Sequence, residues 1–336
     1  RNKQSMNSKS KIKWGIIGCG NIAHKFASDL ALFEDAELIA VASRNDEKAN
    51  DFAKKHHSKK AYGSYEELFL DKEVDIIYIA TPHNSHAELS IRAMEKGHHV
   101  LCEKPLALNK KEATDIIKAS RQTKMFFMEA LWTRFIPSFV EMKKRIDNGE
   151  IGEIKYINAD FSFRSEQPLE NRTMNINLGG GAILDIGIYP AFLAYTLLGV
   201  PEEIFAKSIF HKSAKSDVQT SMIFHYKDAQ AILYSSFLSK SDMIARISGT
   251  EGEIYLNKTW HHTEDYTIVK NDQEELCSIP INGIGYSHEI IECHNCLRSG
   301  KGESELWSHQ NSLDLIGILD VIRKKVGLKY PQEQGG

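Results

Sequence analysis

The chain has 336 residues, enough for two domains, and its 42% hydrophobic and 26% charged residues are the balance of an ordinary globular protein. A formal net charge of −3 excludes a global attraction to nucleic acid or to an anionic membrane surface. The most apolar region, Gly181 to Val200, is broken by Asp185 and Pro190 and does not read as a membrane span.

Residues 1–10 are polar and are expected to be a tail or tag outside the fold. The apolar run Ile12, Trp14, Ile16 and Ile17 then meets Gly18-Cys19-Gly20-Asn21-Ile22-Ala23 and passes into a helix. Strand, tight turn and helix with the spacing Gly18-x-Gly20-x-x-Ala23 form the dinucleotide fingerprint with alanine in third place. The turn and the helix N-terminus offer N–H groups and a positive dipole end to a pyrophosphate. A second strand, Ala36–Ala42, ends at Ser43-Arg44, where such folds meet the adenosine ribose. A hydroxyl and a guanidinium suit a 2′-phosphate better than a 2′-hydroxyl, so NADP is the expected cofactor, with NAD possible.

A helix over 46–57 and a short strand at Ala61-Tyr62 follow, and Ser64-Tyr65-Glu66-Glu67 reads as a capping box. The near-continuous apolar strand 74–80 runs into Thr81-Pro82-His83-Asn84, on the side of the sheet where these folds bind ligands. Ser85-His86-Ala87-Glu88 reads as another capping box. His99–Cys102 is a strand that Pro105 stops, leaving Glu103 and Lys104 beside the cofactor mouth. With a helix from Asn109 and a strand at 125–128, the strand–helix alternation predicts a doubly wound parallel sheet.

After Glu129 the pattern changes. A helix over 139–148 leads to a strand over 154–163, and the period-two segments 218–226 and 229–237 flank a Lys227-Asp228 turn as an antiparallel hairpin. Segments 245–248 and 253–256 form a second hairpin, and 286–298 and 309–324 are closing helices. Between the first strand and the hairpins, Gly179-Gly180-Gly181 precedes a helix that carries Asp185 and Tyr189 at i and i+4, on one face. The expected architecture is α/β: a Rossmann domain over 11–130 and, over 131–330, an α+β domain with a large, mostly antiparallel open sheet for substrate binding and oligomerisation. Met222, Phe224, Leu233 and Phe237 supply apolar side chains to that sheet's faces, and a homodimer or higher homo-oligomer with stacked sheets is expected. Five cysteines without a signal-peptide pattern predict free thiols in a reducing cytoplasm, and Cys293-His294-Asn295-Cys296 offers too few ligands for a zinc site.

Taken together, Gly18–Ala23, Thr81-Pro82-His83-Asn84-Ser85-His86, Glu103-Lys104-Pro105 and the stretch from Gly179 through Asp185 to Tyr189 resemble the glucose–fructose oxidoreductase / inositol dehydrogenase family (Gfo/Idh/MocA). Within it, 61–68, 101–105, 128–135 and 184–189 are most similar to the dimeric dihydrodiol dehydrogenases and the NADP-dependent D-xylose dehydrogenases. Inositol dehydrogenases carry histidine where this chain has Tyr189, which argues against an inositol-type substrate. The resemblance implies Lys104 and Tyr189 as the catalytic pair with Asp185 as their neighbour. It implies cofactor contacts at Gly18, Gly20, Asn21, Ile22, Ser43, Arg44, Thr81, Pro82, Asn84, Glu103, Lys104 and Arg134. Trp132 falls in the substrate pocket, with Phe163 and Arg164 as further candidates beside Phe161 and Tyr286. The implied activity is an NADP-dependent dehydrogenase acting on a hydroxyl-bearing carbon of a small polyol, such as a trans-dihydrodiol or an aldose. An aldose (D-xylose or glucose) 1-dehydrogenase and a non-catalytic NADP-sensing regulator are the competing readings. No metal, nucleic acid or membrane partner is implied.

Overall fold

The computed structural model describes residues 10–333, so the tail expected over 1–10 lies, except for Ser10, outside the described residues. The chain divides into two compact units. In the first, β1 (Ile12–Ile17), α1 (Asn21–Leu30), β2 (Ala36–Ala42), α2 (Asp46–His56), β3 (Lys60–Tyr62), α3 (Tyr65–Leu70), β4 (Ile76–Ile79), α4 (His86–Glu95), β5 (His99–Glu103), α5 (Lys110–Thr123) and β6 (Phe127–Ala130) follow in order. All strand pairs are parallel and the order is β3-β2-β1-β4-β5-β6, the doubly wound order with its switch point between β1 and β4. Helices on both faces bury the central strands, and every residue of β4 is inaccessible to solvent.

Local chemistry sets most boundaries. Asn45 caps α2 through Lys48 N–H at 2.9 Å, and Ser64 caps α3 through Glu67 N–H at 3.4 Å. The capping box expected at Ser85 does not form. A 3₁₀ turn, His83–Ser85, runs straight into α4, so Ser85 lacks the extended N-cap backbone, and its hydroxyl donates instead to Thr81 Oγ1 at 2.7 Å.

The second unit begins with α6 (Pro137–Asp147), whose proline at the first position suits a helix start. β7 (Ile154–Ser162) follows, then a π turn, Ile183–Gly187, leading into α7 (Ile188–Leu198). Next come β8 (Glu203–Phe210), β9 (Asp217–His225), β10 (Gln230–Ser236), β11 (Ala245–Gly249), β12 (Glu253–Leu256), β13 (Asp265–Lys270) and β14 (Gln273–Ser278). These strands form one sheet in the order β14-β13-β12-β11-β7-β10-β9-β8, antiparallel except for β7 with β10. α7 packs against β7 and β10, and Met222, Phe224 and Leu233 are buried. Phe237, just past β10, is buried too. The open apolar row is a different one: Phe205, Ile223, Ile232, Asn158, Arg246, Tyr255, Thr267 and Leu276 lie in register across the sheet. Its Phe205, Ile223, Ile232 and Leu276 are 51%, 41%, 45% and 66% exposed.

Two helices close the chain, α8 (Ser287–Arg298) and α9 (His309–Val326). Residues 281–313 belong to the first unit, not to a continuous block over 131–330. The reason is a set of polar anchors. The buried Asp29 carboxylate accepts four N–H groups, those of Ile284, Gly285, Tyr286 and Ser287, at 2.8–3.1 Å. Trp14 Nε1 donates to His294 Nε2 at 3.1 Å, and Phe127 N–H donates to the Gly302 carbonyl at 3.1 Å. Among the described residues no helix is long and apolar enough to cross a membrane, no group of three or more metal-ligating side chains assembles, and all five cysteines are free thiols.

Candidate functional site

In the first unit the turn after β1 is built for close approach by an anion. Gly18 has φ +93°, and a Cβ there would stand 2.7 Å from the Ala80 carbonyl oxygen. Its nearest side chain is Thr81, at the end of β4. Among the described residues, a Cβ on Gly20 would meet nothing within 4 Å, so the backbone surface there is open. Gly20 heads α1 without a side-chain cap, and no acidic residue occupies the first turn, where Asn21 is exposed and Ile22 half-buried. The residues present fit a dinucleotide phosphate.

The end of β2 adds positive charge. Ser43 is buried at the strand end and its hydroxyl accepts the Asn45 N–H at 3.3 Å. Arg44 is exposed and lies against the Tyr65 phenol, whose pKa burial raises. Burial pushes the Cys19 thiol up to about 11, and the Lys48 charge opposes that rise. The Lys48 charge thus acts on Cys19 in the glycine turn, and the Arg44 charge acts on Tyr65.

At the ends of β4 and β5, buried His86 ties two loops together. One ring nitrogen lies 2.8 Å from the Thr81 carbonyl and the other 2.7 Å from that of Pro105. His86 is thus a structural brace, and Pro82 and Asn84 sit in the turn that it holds. The Lys104–Pro105 peptide is cis. Glu103 accepts the Lys104 N–H at 3.2 Å and the Tyr78 hydroxyl. Burial, with Glu103, Tyr286 and Glu289 around it, holds the Tyr78 pKa far above its usual value. The Lys104 charge acts on buried Glu129, whose pKa burial raises while Ser312, Trp307 and the Leu106 N–H oppose the rise. Trp132 and Arg134 follow β6 on a 3₁₀ turn, and the Trp132 ring stacks on Tyr286 at 4.8 Å.

In the second unit the structure changes the expected helix. Asp185 does not share an α-helical face with Tyr189, because its turn is a π turn and α7 starts only at Ile188. Such turns recur at functional sites. The half-exposed Arg172 donates to Asp185 Oδ1 at 3.1 Å. Tyr189 is buried, with Phe161 and His261 each 5.1 Å from its ring and stacked on one another at 4.3 Å. Phe163 packs on the cluster of Met174, Ala182, Ile186, Val218 and Phe237, while Arg164 is exposed beyond the end of β7.

Comparison with known proteins agrees with this architecture. The model of the oxidoreductase family with an NAD-binding Rossmann fold (GFO_IDH_MocA) matches residues 12–130, and the GFO/IDH/MocA C-terminal domain matches 139–255. A trans-1,2-dihydrobenzene-1,2-diol dehydrogenase of Xenopus tropicalis is 33% identical over 95% of this chain and 99% of its own length. Its namesake in Homo sapiens is 32% identical over 96% and 99%. The chain belongs to the Gfo/Idh/MocA oxidoreductase family. A 3-ketoreductase from Actinomadura kijaniata, solved with NADP and TDP-benzene, superposes with a TM-score of 0.86 at 25% identity, covering 94% of this chain and 98% of that one. An aldose–aldose oxidoreductase from Caulobacter crescentus shares the fold at 21% identity and a TM-score of 0.86.

Several residues of this Gfo/Idh/MocA member were not singled out by the sequence reading: Lys48, Arg172, Asp217, His261 and Glu289. Only Lys48 carries a local signal, one helical turn beyond Arg44. The others are placed by contacts from distant segments.

Proposed function

We propose that the protein is an NADP-dependent dehydrogenase that moves a hydride between NADP and a hydroxyl-bearing carbon of a small cyclic polyol, a trans-dihydrodiol being the favoured substrate class. The observation that carries the cofactor choice is the exposed Arg44 next to Ser43 at the end of β2, where no acidic side chain stands. The substrate class rests on the relatives of that name, which align with this chain over nearly their whole length.

In this reading Gly18, Gly20, Asn21 and Ile22 hold the pyrophosphate, and Ser43 with Arg44 holds the 2′-phosphate. Thr81, Pro82, Asn84, Glu103 and Arg134 line the path toward the nicotinamide. NADP, when bound, accepts the hydride. Tyr189 takes the hydroxyl proton, and Lys104 supplies the positive charge that favours the phenolate, which is otherwise scarce for a group of pKa about 10. Asp185 and Arg172 fix the turn that leads to Tyr189. Trp132 and Tyr286 offer a stacked apolar surface to a ring, and Phe163 and Arg164 are further candidates for substrate contact. The protein works as a homo-oligomer, most simply a dimer, through the exposed row of the eight-stranded sheet.

Initial rates with NADP and NAD over a panel of trans-dihydrodiols, aldoses and open-chain polyols test the assignment. Reduction of NADP by a cyclic diol, with slower turnover of aldoses, is the expected result. Binding of NADP with no reduction on any member of the panel would replace the enzyme by a sensor.

A further inference from the structure

In the glycine triplet ahead of Tyr189, Gly180 is crowded by backbone and Gly181 by a carboxylate outside the triplet. A Cβ on Gly180 would stand 2.8 Å from three backbone atoms of Arg172 and Asn175. Gly181 has φ +123°, and a Cβ there would lie 2.2 Å from Asp217 Oδ1. Asp217 opens β9 and is fully buried. Its Oδ2 accepts the Ile183 N–H at 2.7 Å and the Thr220 hydroxyl at 3.3 Å, while Oδ1 has no hydrogen-bond partner among the described residues. The Ala182 amide and its own amide also favour its charge. Asp217 thus stands at the N-terminal end of the π turn and α7, the place where a carboxylate meets the positive end of the helix. Around the same turn, Tyr330 donates its hydroxyl to the Gly180 carbonyl at 3.1 Å. Asp217, Asp185, Arg323 and Glu333 are the charged groups that act on that phenol.

We propose that Asp217 is a positioning residue: its carboxylate anchors the first turn of the segment that presents Asp185 and Tyr189, and loss of its charge loosens that anchor and slows turnover. The proposal rests on the catalytic role given above to Tyr189. Burial pushes the Asp217 carboxyl up to about 7, against the hydrogen bonds from Ile183, Thr220 and the neighbouring amides. The anchor therefore changes state close to neutral pH, and kcat falls to a lower plateau on the acid side.

The test is kcat against pH, from about pH 5 to pH 9, for the wild type, Asp217→Asn and Thr220→Val, with NADP affinity and thermal unfolding measured alongside. Asn keeps the shape and one acceptor but cannot carry the charge. Asp217→Asn is expected to lose the component of the acid limb centred near 7, keeping only the part set by protonation of Tyr189, and to run about tenfold below wild type at pH 8. Its NADP affinity is expected to stay within about twofold, since the glycine turn is untouched. Thr220→Val removes a hydrogen bond that stabilises the carboxylate, so the midpoint of the limb moves to higher pH. A merely structural Asp217 would lower the unfolding temperature and leave the shape of the profile unchanged. The proposal is overturned if the wild type has no acid-limb component near 7, or if Asp217→Asn keeps that component at its wild-type midpoint. Where Asp217→Asn does not fold, an unmoved midpoint in Thr220→Val overturns it just as well. Tyr189→Phe, run in parallel, separates the two readings: if it turns over normally the proposed function fails. If Tyr189→Phe is inactive while Asp217→Asn matches wild type, the positioning role alone fails.

Discussion

Replacing Asp29 by alanine removes the acceptor for four N–H groups at the start of α8. Oδ1 takes Ile284 at 2.8 Å, and Oδ2 takes Gly285, Tyr286 and Ser287 at 3.0, 2.8 and 3.1 Å. Asp29 is 1% exposed, so water does not simply replace it. An orphaned buried donor costs about 1–3 kcal/mol, and four on one carboxylate are not additive because the segment relaxes as a whole. A loss of about 3–5 kcal/mol is therefore expected, at the upper end of single substitutions. Asp29→Asn, with its amide oxygen at the Oδ2 position, keeps three of the four bonds and is expected to lose about 1–2 kcal/mol. Urea unfolding followed by tryptophan fluorescence measures both. The substrate KM of Asp29→Ala should rise as well, because Tyr286, stacked on Trp132, is set by the same anchor. A loss below about 1 kcal/mol for Asp29→Ala would refute the reasoning, since it would mean that the four amides find other acceptors.

Arg44→Ala should raise the NADP KM by about ten- to a hundredfold and leave NAD use nearly unchanged, because a charge-assisted contact to the 2′-phosphate is lost; equal losses with both cofactors would make Arg44 structural. Glu289 is fully buried, neither carboxyl oxygen has a hydrogen-bond partner among the described residues, and burial with Glu103 and Asp29 nearby raises its pKa well above 4.5. The folded state therefore binds its proton more tightly than the unfolded chain, so this group's contribution to stability falls as pH rises from about 4.5 toward the folded value. Glu289→Gln removes that decline, and the gap between variant and wild type should widen with pH in urea titrations; a pH-independent gap would mean that Glu289 is not titrating. Light scattering at micromolar concentration should give a dimer or larger species for the wild type and a monomer for Phe205→Asp, which places a charge in the exposed row; a wild-type monomer would contradict the oligomer.

The nucleotide half of the fold is legible in the sequence because its signals are local. The run into Gly18, the strand ending at Arg44 and the buried strand before Thr81 each fit within about a dozen residues. The hairpins of β9 with β10 and β11 with β12 are legible for the same reason, through period-two alternation around short turns. β8, β13 and β14 are not. β14 is an edge strand with the sequence Gln273-Glu274-Glu275-Leu276-Cys277-Ser278, mostly exposed, and only its pairing with β13 makes it a strand. The allotment of 281–313 to the first unit rests on Asp29, which lies 255 residues before Ile284. Asp217 reaches back 34 residues to Ile183. Such partners carry no signature in a window of sequence. The π turn is equally hidden, since Asp185 and Tyr189 keep the spacing of an α-helical face while the backbone between them is wound differently.

The central claim is that Lys104 and Tyr189 act as one unit in proton transfer. Its most direct measurement is the cycle of Tyr189→Phe, Lys104→Met and the double variant, in kcat on the best cyclic diol, with NADP affinity followed by fluorescence. Each single change is expected to lower kcat by about 10²–10⁴ while NADP stays bound, and the double variant is expected to lose little more than either one. A near-wild-type kcat in Tyr189→Phe, or a double variant whose loss equals the product of the single losses, would contradict it.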